Sequence, residues 1–248
     1  MLFDILAAIQ VTASAAIIAA TLAFMLSQTV TGRLRMAFAL GAWFAIVVVF
    51  GATMALDNQA GIGTPGLGAA VALPILILCF AFFGFRRARE AMTAIPLSAL
   101  ITVNIVRVVG YEFVLLYLAQ RLPSPFAPVA GWGDVFVGVT AIPMAWIATR
   151  GGERARMLVL GWNLIGFLDL VAAIFLGATS SPGPLRIFMD PPSSAIMTTL
   201  PWIIIPCFIV PCLGAIHIAI FYRLSRRAGR PEASTQLDAS RPADTAAR

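Results

Sequence analysis

Seven apolar runs follow one another along the chain, at 3–27, 36–56, 66–86, 97–120, 125–149, 156–178 and 197–222. Each is long enough to cross about 30 Å of hydrocarbon as a helix of roughly 20 residues. Turn-forming and charged residues collect between them. Asp57 and Asn58 precede Gly61, Gly63, Pro65 and Gly66; Pro123-Ser124-Pro125 breaks the chain again; and the stretch from Ser180 to Ser194 carries four prolines. The pattern predicts an all-α polytopic transmembrane bundle of seven spans. It occupies residues 1–223 and is followed by a polar, Pro/Ala/Ser-rich tail over 224–248 with no periodicity, expected to be disordered. The first run lacks the basic segment of a signal peptide, because Asp4 is its only early charge, so it reads as a retained helix.

Composition agrees with this pattern. The chain is 60% hydrophobic and 11% charged, with a mean hydropathy of +0.93, whereas soluble domains carry roughly a quarter charged residues. An ordinary water-soluble fold is excluded, and no stretch is left for a separate soluble domain. The net charge of +6 does not imply nucleic acid, since the basic residues sit in short clusters that flank apolar runs as membrane anchors. All 17 basic residues are arginine. Without lysine there is no Schiff base to retinal or pyridoxal phosphate and no GxxxxGK[ST] phosphate loop. The Ala- and Arg-rich usage points to a GC-rich bacterial genome, hence to the inner membrane.

The arginines also orient the chain. Arg33 and Arg35, then Arg86, Arg87 and Arg89, then Arg150, Arg154 and Arg156, then Arg223, Arg226, Arg227 and Arg230 flank one side, against Arg121 and Arg186 on the other. The positive-inside rule places the first set in the cytoplasm, with the N-terminus outside and the C-terminus inside.

Candidate chemistry lies within the spans. An ionised side chain at mid-bilayer costs about 2.5–3.5 kcal/mol on insertion scales, yet span four keeps Arg107 and Glu112, span five Asp134 and span six Asp169. Asn104, Tyr111, Asn163 and His217 add polar groups. On an α-helix Asn104, Arg107, Tyr111 and Glu112 fall within an arc of about 140°. Arg107 and Glu112 lie at its two edges, so each is expected to look to another helix. Gly131, Asp134, Gly138, Ala141 and Ala145 form a small-residue stripe on span five, which admits a close neighbour. Trp162, Asn163, Gly166, Asp169, Ala173 and Gly177 share a side of span six. Depth pairs Arg107 with Asp169, and puts Glu112 close to Asp134, where two like charges would share a proton. These groups form either an ion-, proton- or substrate-binding set or a purely structural one. His217, near the inner end of span seven, reads more simply as interfacial. Pro201, Pro206 and Pro211 should bend or break that span.

Other sites are excluded. A single histidine cannot supply bis-histidine haem or three-histidine zinc ligation. Cys79, Cys207 and Cys212 sit in apolar runs as small buried hydrophobes, and no metal or other cofactor is expected. Weak echoes between Gly41-Ala42-Trp43 and Gly131-Trp132-Gly133 hint at a duplicated transporter.

The layout of Arg107 to Glu112, Gly131 to Asp134, Gly161 to Asp169 and the Pro-rich last span through His217 resembles an uncharacterised group of bacterial multi-pass membrane proteins. The resemblance covers the chain from span four onward and implies no activity. The leading expectation is a small solute or ion transporter or channel with the lipid bilayer as its surroundings. A binding or accessory subunit of a larger membrane complex, or a homo-oligomer, comes second. An intramembrane enzyme acting on a lipid or isoprenoid is the third reading.

Overall fold

The computed structural model describes residues 2–57 and 61–228; Asn58 and the tail beyond Ala228 lie outside them. The described residues contain helices and no strand. Seven helices are long and apolar enough to cross a membrane: Leu2–Met25, Val30–Ala52, Thr64–Gly84, Leu97–Leu118, Phe126–Arg150, Gly152–Thr179 and Ile205–Arg226. They are termed spans one to seven. Large apolar side chains such as Phe38, Phe80, Trp132 and Trp146 stand on the outside of the bundle, where in water they would form an untenable patch and in lipid they are at home.

Spans four and seven are the centre of the bundle, each just over half buried, whereas spans two and three are buried over only 17% of their apolar windows. Span five packs along span four and against span six; span one packs on span two and on the middle of span four; span seven lies against spans three and six. The connection between spans five and six is as short as a turn allows. Gly151 and Gly152 both take positive φ, 69° and 81°, conformations that cost an L side chain energy and glycine almost nothing. The two spans are thereby held as antiparallel neighbours.

The structure adjusts three predicted boundaries. Span two starts at Val30, not 36, because Thr29 accepts a hydrogen bond from Gly32 N at 3.1 Å and caps the helix. Arg33 and Arg35 thus sit in its first turns. The cluster Arg86, Arg87 and Arg89 lies on a separate short helix, Arg86–Ala94. The last apolar run is not one helix from 197, because a short 3-10 helix, Ser194–Thr198, ends there. Residues 199–203 bend and turn, Pro201 precedes the helix, Pro206 falls in a π-helical segment over Ile205–Ile209, and Pro211 stands in the α-helix that continues to Ala228. Residues 224–228 of the expected tail therefore extend the last helix.

Span four is α-helical only at its ends, Leu97–Thr102 and Tyr111–Leu118; the eight residues between, Val103–Gly110, form a 3-10 helix. Runs of that kind beyond three or four residues are uncommon. The tighter winding changes which residues share a face. Asn104, Arg107 and Gly110, three apart, line up along one side, and Tyr111 turns outward, away from the arc expected on an α-helix.

Backbones approach closely where spans four and five meet. A Cβ added to Gly138 would lie 2.5 Å from Val108 N, and one added to Gly131 would lie 2.9 Å from Gly110 O. Gly138→Ala should therefore lower stability by about 1–3 kcal/mol, the usual cost of overpacking. Gly41→Ala should be neutral or better, because nothing lies within 4 Å of that position. Thermal unfolding of both variants in the same lipid checks this; equal melting temperatures would contradict the close approach.

Candidate functional site

A guanidinium within a lipid-spanning bundle must find acceptors for its donors, because no bulk water is there to supply them. Arg107, on the 3-10 segment of span four, finds them on three other spans. Its Nε donates to Asp134 Oδ1 of span five at 2.6 Å and its Nη2 to Asp169 Oδ2 of span six. Its Nη1 donates to the Gly166 carbonyl of span six at 3.0 Å and meets His217 Nε2 of span seven at 3.2 Å. The Arg107 side chain is 1% exposed, against 16% for Asp134 and 9% for Asp169.

These contacts settle the histidine tautomer. Arginine has donors only, so His217 Nε2 must accept from Arg107 and the ring proton resides on Nδ1. That nitrogen then donates to Asn163 Oδ1 at 2.8 Å, and Asn163 Nδ2 donates back to the His217 carbonyl at 3.1 Å. The reciprocal pair fixes both the ring and the amide. The residue before Asn163, Trp162, donates from its Nε1 to Thr140 Oγ1 at 2.9 Å and ties span six to span five.

Glycines make the convergence possible. A Cβ on Gly110 would collide with the Asp134 side chain, one on Gly133 with the Asp169 carboxylate, and one on Gly166 with His217 Cε1 at 2.7 Å. Each acid or ring occupies the space that a side chain on the neighbouring helix would have filled.

The sequence-predicted residues thus divide. Arg107, Asp134, Asp169, Asn163 and His217 form one hydrogen-bonded cluster, and the expected pairing of Arg107 with Asp169 is present. Asp134 joins that pair as a second acid on the same guanidinium, instead of meeting Glu112. His217 is wholly buried, not interfacial. The helix runs on past 222 to Ala228 and starts later, at Ile205, so His217 lies in its middle and not near its end. Asn104 is buried beside the cluster on the same 3-10 face, donating to the Leu100 and Ile101 carbonyls, with its Oδ1 unbonded. Glu112 is buried, has no partner for Oε2, and makes no hydrogen bond or ion pair with the cluster. Tyr111 lies further out, donating to Gln10 Oε1 of span one at 2.5 Å. Gly110 was not singled out from sequence, and Gly133 entered only as part of the Gly131-Trp132-Gly133 echo, although the Gly-Trp-Gly-Asp order at 131–134 places it directly before the acid. Among the described residues no group of three His, Cys, Asp or Glu side chains could hold a metal ion.

The arginine-rich end is built differently. Arg89 donates to Phe83 O at 3.0 Å at the close of span three, Arg156 to Leu224 O at 3.3 Å, and Arg223 to Ile95 O. These arginines satisfy loose carbonyls at helix ends. At the opposite end Arg121 pairs with Asp4 at 2.7 Å.

The fold and this cluster define an all-helical, seven-span integral membrane protein with a buried ion-pair network at mid-span. The family described as "Domain of unknown function (DUF8737)" matches residues 64–225, and the chain belongs to it. The match runs from span three to the end of span seven and so contains every member of the Arg107 cluster. No curated protein and no solved structure matches the chain.

Removing the guanidinium leaves two buried carboxylates facing each other. Arg107→Gln should therefore cost about 3–5 kcal/mol, the range for breaking a buried ion pair from one side. Reduced yield and a lower melting temperature in detergent would report it, and a wild-type melting curve would show that the network carries no load.

Proposed function

We propose that the chain is a small proton- or cation-handling transporter, with Asp134 and Asp169 as its exchangeable groups and Arg107 as the fixed counter-charge. The observation that carries the reading is the charge count. One guanidinium, +1, faces two carboxylates, −2, so the ionised cluster holds a net −1 in a buried place. A low-dielectric site relieves such an excess by taking up a proton or a cation. The broken geometry around it supports the same reading. Span four is 3-10 at Arg107, near its middle, and irregular helices near the bilayer midplane are where transporters bind their ions. Glu112, buried without an Oε2 partner, is a further acid available to the same traffic.

One observation favours the reading as an accessory subunit. The guanidinium's nitrogens all find partners within the chain, as they would in a cluster that only joins helices. A lipid-acting enzyme with His217 as base is disfavoured, because Arg107 already occupies the ring's accepting nitrogen. The arginine bias supports an orientation with the N-terminus outside and the C-terminus in the cytoplasm, and the Ala- and Arg-rich, lysine-free composition supports a bacterial inner membrane.

Asp134→Asn keeps an acceptor for Arg107 Nε while removing charge and proton exchange. The variant should insert and melt like the wild type but lose solute-driven proton flux in liposomes. Asp134→Leu should instead lose about 1–3 kcal/mol of stability by stranding a buried donor. Full flux in the Asn variant ends the transporter reading for this residue. Orientation has its own check. A reporter active only in the periplasm, fused after Arg227, should be silent, and strong activity there would reverse the topology.

A further inference from the structure

Beside the Arg107–Asp134 pair lies a cavity of about 30 Å³, bordered by Ser14, Val106, Arg107, Asp134, Ile205 and Leu213 among others. It sits where spans one, four, five, six and seven meet, next to the π-helical turn that opens span seven. Three features single it out. Ser14 is 5% exposed and borders this cavity, and its hydroxyl makes no hydrogen bond. Asp134 also borders the cavity and uses only Oδ1 on Arg107, so its Oδ2 is free to accept. The rest of the lining is almost wholly apolar, which leaves these two groups facing the same small space.

The size and the lining choose the occupant. A volume of this order holds about one water, which needs roughly 10–15 Å³ and two to four polar partners. A bare metal cation would want roughly six oxygens, and the side chains here offer the Ser14 hydroxyl and one Asp134 oxygen, with a guanidinium alongside to repel it. A polyatomic solute does not fit. We infer that this cavity is a single-water site, held between Ser14 Oγ and Asp134 Oδ2, through which Asp134 exchanges its proton. The inference rests on Asp134 being an exchangeable group, as proposed above, and names the species it exchanges with.

The step balances as a plain proton transfer. A hydronium in the cavity gives one proton to Asp134 Oδ2; an O–H bond breaks on the hydronium and one forms on the carboxyl. Water stays behind, and the cluster passes from a net −1 to neutral. Ser14 acts as a positioning residue that holds the water against the carboxylate. One turn further out, an exposed Tyr111–Gln10 hydrogen bond ties spans one and four together toward the Asp4–Arg121 end.

Infrared spectroscopy of the full chain in lipid vesicles separates the possibilities. The wild type should show a protonated-carboxyl band on acidification, missing in Asp134→Asn, that shifts when water is replaced by D2O. Ser14→Ala should keep the band and slow its exchange by up to about tenfold, the factor that one lost hydrogen bond corresponds to. Ser14→Val, which also fills the space, should slow it further, and Ser14→Thr should restore it. If no band belongs to Asp134 at any pH, the proton-handling reading fails for this residue and this inference falls with it. If the band is present but exchanges at the wild-type rate in both Ser14→Ala and Ser14→Val, the single-water site alone is overturned.

Discussion

A guanidinium cannot be left unanswered between lipid tails, and in this protein the arrangement of four spans follows from answering one. The donors of Arg107 reach three other helices: Nε ends on Asp134 of span five, Nη2 on Asp169 of span six, and Nη1 on both Gly166 of span six and His217 of span seven. Lipid-exposed apolar packing gives little preference among rotations of a helix, because the tails are as apolar as the side chains. The donors of Arg107 do give such a preference. Rotating span five, six or seven out of register would strand a donor or an acceptor at a depth where no water replaces it.

The backbone irregularities can be understood from the same demand. Four helices converging on one planar group must come closer than side chains ordinarily permit. Glycines at 110, 131, 133, 138 and 166 remove the obstructing Cβ atoms. The 3-10 winding of span four brings Asn104, Arg107 and Gly110 into line. The guanidinium and the glycine that admits Asp134 then lie on the same face. On a regular α-helix three residues turn through about 300°, so Arg107 and Gly110 would diverge by about 60°.

Much of this was legible in the sequence, and the reasons for the rest are physical. Span number and type follow from run length and hydropathy. The membership of Arg107, Asp134 and Asp169 in one interior set follows from the cost of charge in lipid. Two things could not be read. An assumed 3.6-residue period placed Tyr111 on the inner face, and nothing in Val103–Gly110 announces a tighter winding, which is imposed by the neighbours. The start of span seven was also hidden, because the residues from 197 are as apolar as any span. Only the fold shows that Pro201 lies in a turn and that the helix continues to Ala228, and the two changes together carried His217 from a helix end to the centre of the site. Ser14 was overlooked for a different reason. A serine among alanines is unremarkable until its register with Val11, Ile18 and Leu22 puts it on the buried face.

The stoichiometry of the cluster bears on why it exists. Buried ion pairs contribute little net stability, because desolvation offsets most of the Coulomb attraction, and well-packed apolar residues often serve as well or better. A cluster selected only to join helices would be expected to balance its charges, one acid to one base, and to close both carboxylate oxygens. This one keeps a second acid, leaves Asp134 Oδ2 unbonded, and places it beside a water-sized space. Each of those choices weakens the cluster as an adhesive. Together they make sense if the surplus negative charge is meant to be met from outside, by a species small enough to enter and weakly enough held to leave.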